Sequence, residues 1–144
     1  MLSLGCKASI KAVIFLASRS GQLPRAGIQE VAKHIGENEH TVGKLLQKLV
    51  KAGIIHSAKG PHGGFFVDEA QLSKPVIDIV HAIDGIEVFH QCGLGLSTCS
   101  HTKPCPMHDD YKEIRDRFEA LCRERTVHEL CVPVTGGMAF LVHQ

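Results

Sequence analysis

The stretch IQEVAKHIGENEHTVGKLLQKLVKAGIIHSAKGPHGGFFV, residues Ile28 to Val67, decides the fold. Ile28, Val31, Ala32 and Ile35 recur at helical spacing, and Gly36 follows them as a helix-ending glycine does. A further helix is predicted from Asn38, whose short polar side chain caps free N–H groups, to Ala52, with Gly53 as its stop. Val42, Leu45, Leu46 and Leu49 form its apolar face, while His40, Thr41, Gly43, Lys44, Gln47, Lys48 and Lys51 form the outward one. Two helices joined by a tight glycine-containing turn, the second offering polar and basic side chains, make a helix-turn-helix. His40, Thr41, Lys44 and Gln47 are then placed for base edges in a major groove, and Lys48 and Lys51 for the phosphate backbone.

The same stretch continues as IIHSAKGPHGGFFV, Ile54 to Val67. Ile54 to Lys59 and Phe65 to Val67 suit two short strands, with GPHGG as the tip between them. Gly60, Gly63 and Gly64 allow the chain to turn and to approach a phosphate closely, and Pro61 stiffens the tip. Lys59 and His62 project from it. A helix-turn-helix followed at once by a hairpin is a winged helix.

Upstream, a helix is expected from Ser3 to Ser18, broken by the Gly21 to Gly27 segment with Pro24. Its run AVIFLA, Ala12 to Ala17, invites comparison with a signal sequence. Ile10, Val13, Ile14 and Ala17 instead continue an amphipathic helical pattern, and the chain reads as cytoplasmic. No stretch approaches the roughly 18 apolar residues of a membrane span. Charge is unevenly spread: residues 1–67 hold nine Lys and Arg against three acidic residues, and residues 68–144 hold seven against twelve. A basic first half suits a polyanionic partner.

Residues 68–91 read as a connector, polar from Asp68 to Ser73, then a helix with Val76, Ile79, Val80 and Ile83 on one side, then an extended stretch from Ile86 to Phe89. Asp109 to Arg125 reads as one long helix with Tyr111, Ile114, Phe118, Leu121 and Cys122 along one side and Lys112, Glu113, Arg115, Asp116, Arg117 and Glu119 opposite. A lone helix with an apolar stripe beside a small winged domain can bury that stripe against a second copy, which predicts a homodimer and a palindromic operator on double-stranded DNA; the alternative is that the stripe packs only against the first helix. Thr126 to Leu130 suits a short capped helix, and 131–144 a loose tail.

Between these elements lies CGLGLSTCSHTKPCPMH, residues 92–108, with three cysteines and two histidines and no helical or strand period. In a reducing compartment, such thiols point to metal or redox chemistry rather than to disulfides. Structural zinc sites commonly use two close pairs of ligands, and only Cys105 and His108 form a close pair here. Wide gaps rich in small residues suit a loop wrapped around an iron-sulfur cluster. Spacing alone leaves a cluster, a zinc ion and free thiols open. Cys6, Cys122 and Cys131 read as buried structural thiols. The sequence offers no phosphate-binding glycine motif and no nucleophile constellation, which disfavours an enzyme.

The Ile28 to Val67 stretch resembles the DNA-binding region of the Rrf2 family of bacterial transcription regulators. The resemblance rests on Leu49, Lys51, Ala52 and Gly53 before the wing and on Gly60, Pro61, Gly63 and Gly64 at its tip. It departs from the family at Lys7 and Ala8, through Glu37 to Thr41, and at Gly43. It implies a mainly α fold with a small β-hairpin wing: a winged helix-turn-helix at residues 1–67 and a long dimerisation helix within 109–130. It further implies that Cys92, Cys99 and Cys105 match the three cysteines of the cluster-binding branch, with His108 as fourth ligand in preference to His101. The expected cofactor is an iron-sulfur cluster, 2Fe-2S in preference to 4Fe-4S, that modulates DNA binding by a repressor in response to iron-sulfur status, redox stress or nitric oxide. A regulator of the same fold that is metal-free or binds zinc, sensing through thiols or a protein partner, is the alternative.

Overall fold

The computed structural model of the chain describes residues 1–23 and 25–143; Pro24, assigned above to the break after the first helix, lies outside them. Seven α-helices and one hairpin are present among the described residues: α1 Leu4–Ser18, α2 Ile28–Ile35, α3 Glu39–Lys51, β1 His56–Ala58, β2 Gly64–Phe66, α4 Glu69–Leu72, α5 Ile77–Ile83, α6 His108–Glu124 and α7 Val127–Thr135. A 3₁₀ turn, Ile86–Phe89, follows α5.

Local chemistry sets most of these boundaries. Ser3 Oγ accepts from the Cys6 N–H at 3.0 Å and starts α1. Gly36 ends α2 in the left-handed region at φ 68°, where a side chain would be strained. Asn38 Oδ1 accepts from the N–H groups of His40 and Thr41 and starts α3. The strands pair antiparallel, with Ser57 opposite Phe65, and the Phe65 N–H also reaches Ala26 O at 2.7 Å. Gly64 is required there. A Cβ at that position would lie 2.6 Å from Ala26 O, and its φ is +135°.

Helix α1 runs through the middle of the fold, packed by α2, α3, α5 and α7. Six consecutive residues, Ala12 to Ala17, are therefore buried, although the sequence suggested only a stripe. Leu46, Leu49, Ile35 and Ile55 close the main core around it. Each such side chain contributes roughly 1.5–3 kcal/mol by leaving water. A second apolar cluster, with Cys6, Val80, Phe89 and Cys122 among its members, fastens the C-terminal half of α6 to α1 and α5. No helix among the described residues is long and apolar enough to cross a membrane.

Four segments differ from the sequence reading. Asp68 to Ser73 is not merely a polar connector. Asp68 and Gln71 form a reciprocal capping box that nucleates α4, and Gln71 Nε2 donates to Gly53 O, tying that turn to the end of α3. Ile86 to Phe89 is a 3₁₀ turn rather than extended, because Val88 and Phe89 both face the second cluster. Helix α6 begins one residue early, at His108. Helix α7 continues past Leu130 to Thr135 even though Pro133 lies within it, since Val127 and Cys131 are buried against the core. The residues after it fold back: Leu141 packs on the core and Val142 lies over Gly36.

Candidate functional site: the DNA-binding face and the cysteine loop

On the first surface, α3 exposes His40, Thr41, Lys44, Gln47 and Lys48 side by side, and the wing tip exposes Lys59 and His62. Beside α3 an open groove of ≈ 710 Å³ is lined by Gly27, Gln29, His40, Lys44 and Gln47, among others. Gly43 is not part of the outward face. It is half-buried against Ile28, whose Cδ1 lies 3.4 Å from where a Cβ would stand, so this glycine lets α2 and α3 cross closely. Gly63 likewise serves the wing itself, because Ala58 O fills the space a Cβ would need.

Two residues on this face escaped the sequence reading. Gln29 lies at the start of α2 and lines the groove. The Arg25 guanidinium lies 3.8 Å from the centroid of the Phe66 ring, a cation–π contact that fixes a positive charge beside the wing. The Arg25 N–H donates to His62 O. Arg25 carried no signal in the sequence, since the pairing depends on Ala26 joining the hairpin.

The second surface is the loop before α6. Cys92 starts a turn in which Gly95 N–H donates to Cys92 O at 3.1 Å, and Gly95 takes φ +78°. The turn aims backbone N–H groups at the sulfur: Leu96 and Leu94 donate to it, and they hold the Cys92 thiol below its ordinary range. Cys105 is buried beside Cys92, and burial pushes its thiol up. Cys99 Sγ is 3.4 Å from His108 Nδ1. His108, the first residue of α6, is 6% exposed, and its Nε2 is 3.0 Å from His101 Nδ1.

The structure therefore gathers the four residues as two pairs, Cys92 with Cys105 and Cys99 with His108. Cys92 and Cys99 both bear electrostatically on Cys105, so the two pairs share one neighbourhood. His101 contacts His108 rather than a thiol, as a residue orienting the ring would. Among the described residues, no three His, Cys, Asp or Glu side chains gather tightly enough around one point to hold a single metal ion. Gly93 has a further role: a Cβ there would strike the Tyr111 ring at 2.7 Å, so the glycine lets α6 cover the loop.

Arg115 is the main surprise of this region. The charge pattern put it on the solvent side of α6, yet it is 4% exposed. One guanidinium nitrogen donates both to Gln91 O at 2.7 Å and to Cys99 Sγ at 3.3 Å. The apolar stripe is correspondingly rotated in part toward solvent. Cys122 is buried and Phe118 packs on Phe89 with ring centroids 5.8 Å apart, but Ile114 and Leu121 are 59% and 49% exposed.

A winged helix-turn-helix with an exposed basic recognition helix defines a DNA-binding transcription regulator. The model of the Rrf2 family, described as an iron-dependent transcriptional regulator, matches residues 2–133, and the chain belongs to that family. It is 26% identical over 117 residues to the HTH-type transcriptional regulator IscR of Escherichia coli, covering 81% of this chain and 70% of the relative. It is 25% identical over 121 residues to a putative HTH-type transcriptional regulator of Aquifex aeolicus, covering 83% of each. In three dimensions it is similar to T. potens IscR, with TM-score 0.71 and 18% identity over 96% of this chain and 91% of the other. It is also similar to CymR, the global cysteine regulator of B. subtilis, with TM-score 0.69 and 20% identity over 91% and 95%.

Proposed function

We propose that this Rrf2 regulator carries an iron-sulfur cluster on Cys92, Cys99, Cys105 and His108, and that the state of this site sets its affinity for DNA. The observation that carries the reading is the contact of Cys99 Sγ with the buried His108 imidazole at the first residue of α6, in the loop that also holds Cys92 and Cys105. The donor chemistry suits the group. Three thiols and one imidazole are cluster ligands, the Cys92 sulfur receives backbone N–H groups, and a buried guanidinium faces Cys99. When bound, a cluster supplies a redox-active, oxygen- and nitric-oxide-reactive centre; 2Fe-2S is the preferred type because one histidine joins three cysteines.

The protein's own residues couple that centre to DNA. His108 opens α6, so a ligand held at the loop constrains the start of the helix. Ile114 and Leu121 lie exposed along it, and beside Leu121 an apolar groove of ≈ 210 Å³ is lined by Leu2, Ile10, Val76, Phe118 and Leu130. These surfaces are suited to a second copy, giving a cytoplasmic homodimer on a palindromic operator, acting as a repressor. His40, Thr41, Lys44 and Gln47 meet bases in this reading, and Lys48, Lys59 and His62 meet phosphates or the minor groove. The signal is iron-sulfur status, redox stress or nitric oxide.

Anaerobic purification with iron and sulfide counting and visible absorption tests the cofactor, repeated on His108→Ala. The expected result is iron and sulfide in the wild type and a changed spectrum or reduced occupancy in the variant. Loaded and cluster-free protein should bind operator DNA with different affinities, and Lys48→Ala should weaken both forms and lower the salt slope by about one. Zinc without sulfide, or no metal with equal DNA binding by both forms, rejects the reading. The contact between the low Cys92 thiol and Cys105 favours direct thiol sensing as the second reading in that event.

A further inference from the structure

A buried cation normally sits against a carboxylate, because removing both charges from water is tolerable only when each satisfies the other. Arg115 is 4% exposed, and among the described residues it forms no ion pair. Asp116, its neighbour, feels the charge but pairs with Lys112. The Arg115 Nε is buried without any hydrogen-bond partner. Its two contacts are a neutral carbonyl, Gln91 O, and a sulfur, Cys99 Sγ. Of these, only the sulfur can carry negative charge.

We propose that Arg115 is the counter-charge of the metal-bound Cys99 thiolate, and that it sets the reduction potential and lifetime of the cluster while tying the loop to α6. The inference rests on the cluster reading above. A cation and an N–H donor at a ligating sulfur draw negative charge off the centre, which makes adding an electron easier and raises the potential. The same nitrogen holds Gln91 O, next to Cys92, so one side chain spans from the helix to the start of the loop and to its middle cysteine. Removing it therefore changes both the charge at Cys99 and the hold on the loop.

The test compares wild type, Arg115→Met and Arg115→Lys as full-length proteins loaded anaerobically, with iron and sulfide counts and circular dichroism on each. Arg115→Met is expected to show a lower midpoint potential in a redox titration and about tenfold faster cluster loss in air. Arg115→Lys, which keeps the charge but not the fork, should hold a potential near that of the wild type with a shortened lifetime. A folded Arg115→Met protein with unchanged potential and lifetime overturns the assignment. If Arg115→Met does not fold, Arg115→Lys decides: a shortened lifetime supports the role, and wild-type behaviour in both measures overturns it. A wild type without iron or sulfide overturns the cluster reading itself, and the role of Arg115 with it; a loaded wild type with indifferent variants removes only the latter.

Discussion

Leu46, Leu49 and Ile55 have no exposed surface and lie in the main apolar core around α1, whereas between Cys92 and His108 only Cys105 and His108 are buried. The winged half is held by hydrophobic contact around α1. The loop is held by turns, sulfur contacts and one arginine. A core of the first kind needs nothing beyond the chain, while a segment of the second kind has few contacts of its own to lose. The difference teaches where a signal can enter. The winged half is the firmly packed part of the molecule, and under the proposed function the loop is the part whose conformation a bound cluster would decide.

The contrast is sharpest in the cysteines. Burial, with Asp84 and Cys122 nearby, pushes the Cys6 thiol up to about 12, and burial also raises Cys122 and Cys131, while N–H groups lower Cys92. In cluster-free protein at pH 8, iodoacetamide should therefore modify Cys92 at least about a hundredfold faster than Cys6, read by peptide mass spectrometry. Equal rates would mean that the two regions are equally open. Next in size is the effect on stability. Leu49→Ala should cost about 2–5 kcal/mol in denaturant unfolding, whereas Cys105→Ser in cluster-free protein should cost well under that, since Cys105 belongs to neither apolar cluster.

The smallest effect falls where the wing ends. The Asp68 carboxyl is held below its ordinary value of 3.8 by the Gln71 N–H and by His56. Its folded form thus binds a proton less readily than its unfolded form, so the stability it adds is complete above 3.8 and is lost as the pH falls through the lowered value. Asp68→Asn should flatten that acid limb in thermal melts recorded as a function of pH by lowering the melts at neutral pH slightly, because Asn keeps the helix cap but not the charge facing His56.

The helix-turn-helix was legible because each of its features is local: the caps at Gly36 and Asn38, the spacing of Val42, Leu45, Leu46 and Leu49, and the glycines of the wing. The four loop and helix residues Cys92, Cys99, Cys105 and His108 were legible as types in one segment, and the structure shows how they pair. Arg115 and Arg25 were not legible. Each is placed by a partner distant in sequence, Gln91 and Cys99 for the first and the hairpin for the second, and an arginine in a charged helical run reads as solvated. The tail at 131–144 misled in the other direction, since its local sequence gives no account of Cys131 and Leu141 anchoring it to the core around α1.

One further detail gives α6 its mechanical character. Val76 N–H donates to Arg125 O and Val127 N–H donates to Lys74 O, both at 2.9 Å, pinning the end of α6 to the start of α5. With Cys122 buried close by, this end of the helix is a fixed pivot, and the other end carries His108. An α-helix of 17 residues is about 25 Å long, so a tilt of about 5° at the pivot displaces the far tip by roughly 2 Å. The chain has a beam clamped at one end and latched at the other, and the latch is made of sulfur.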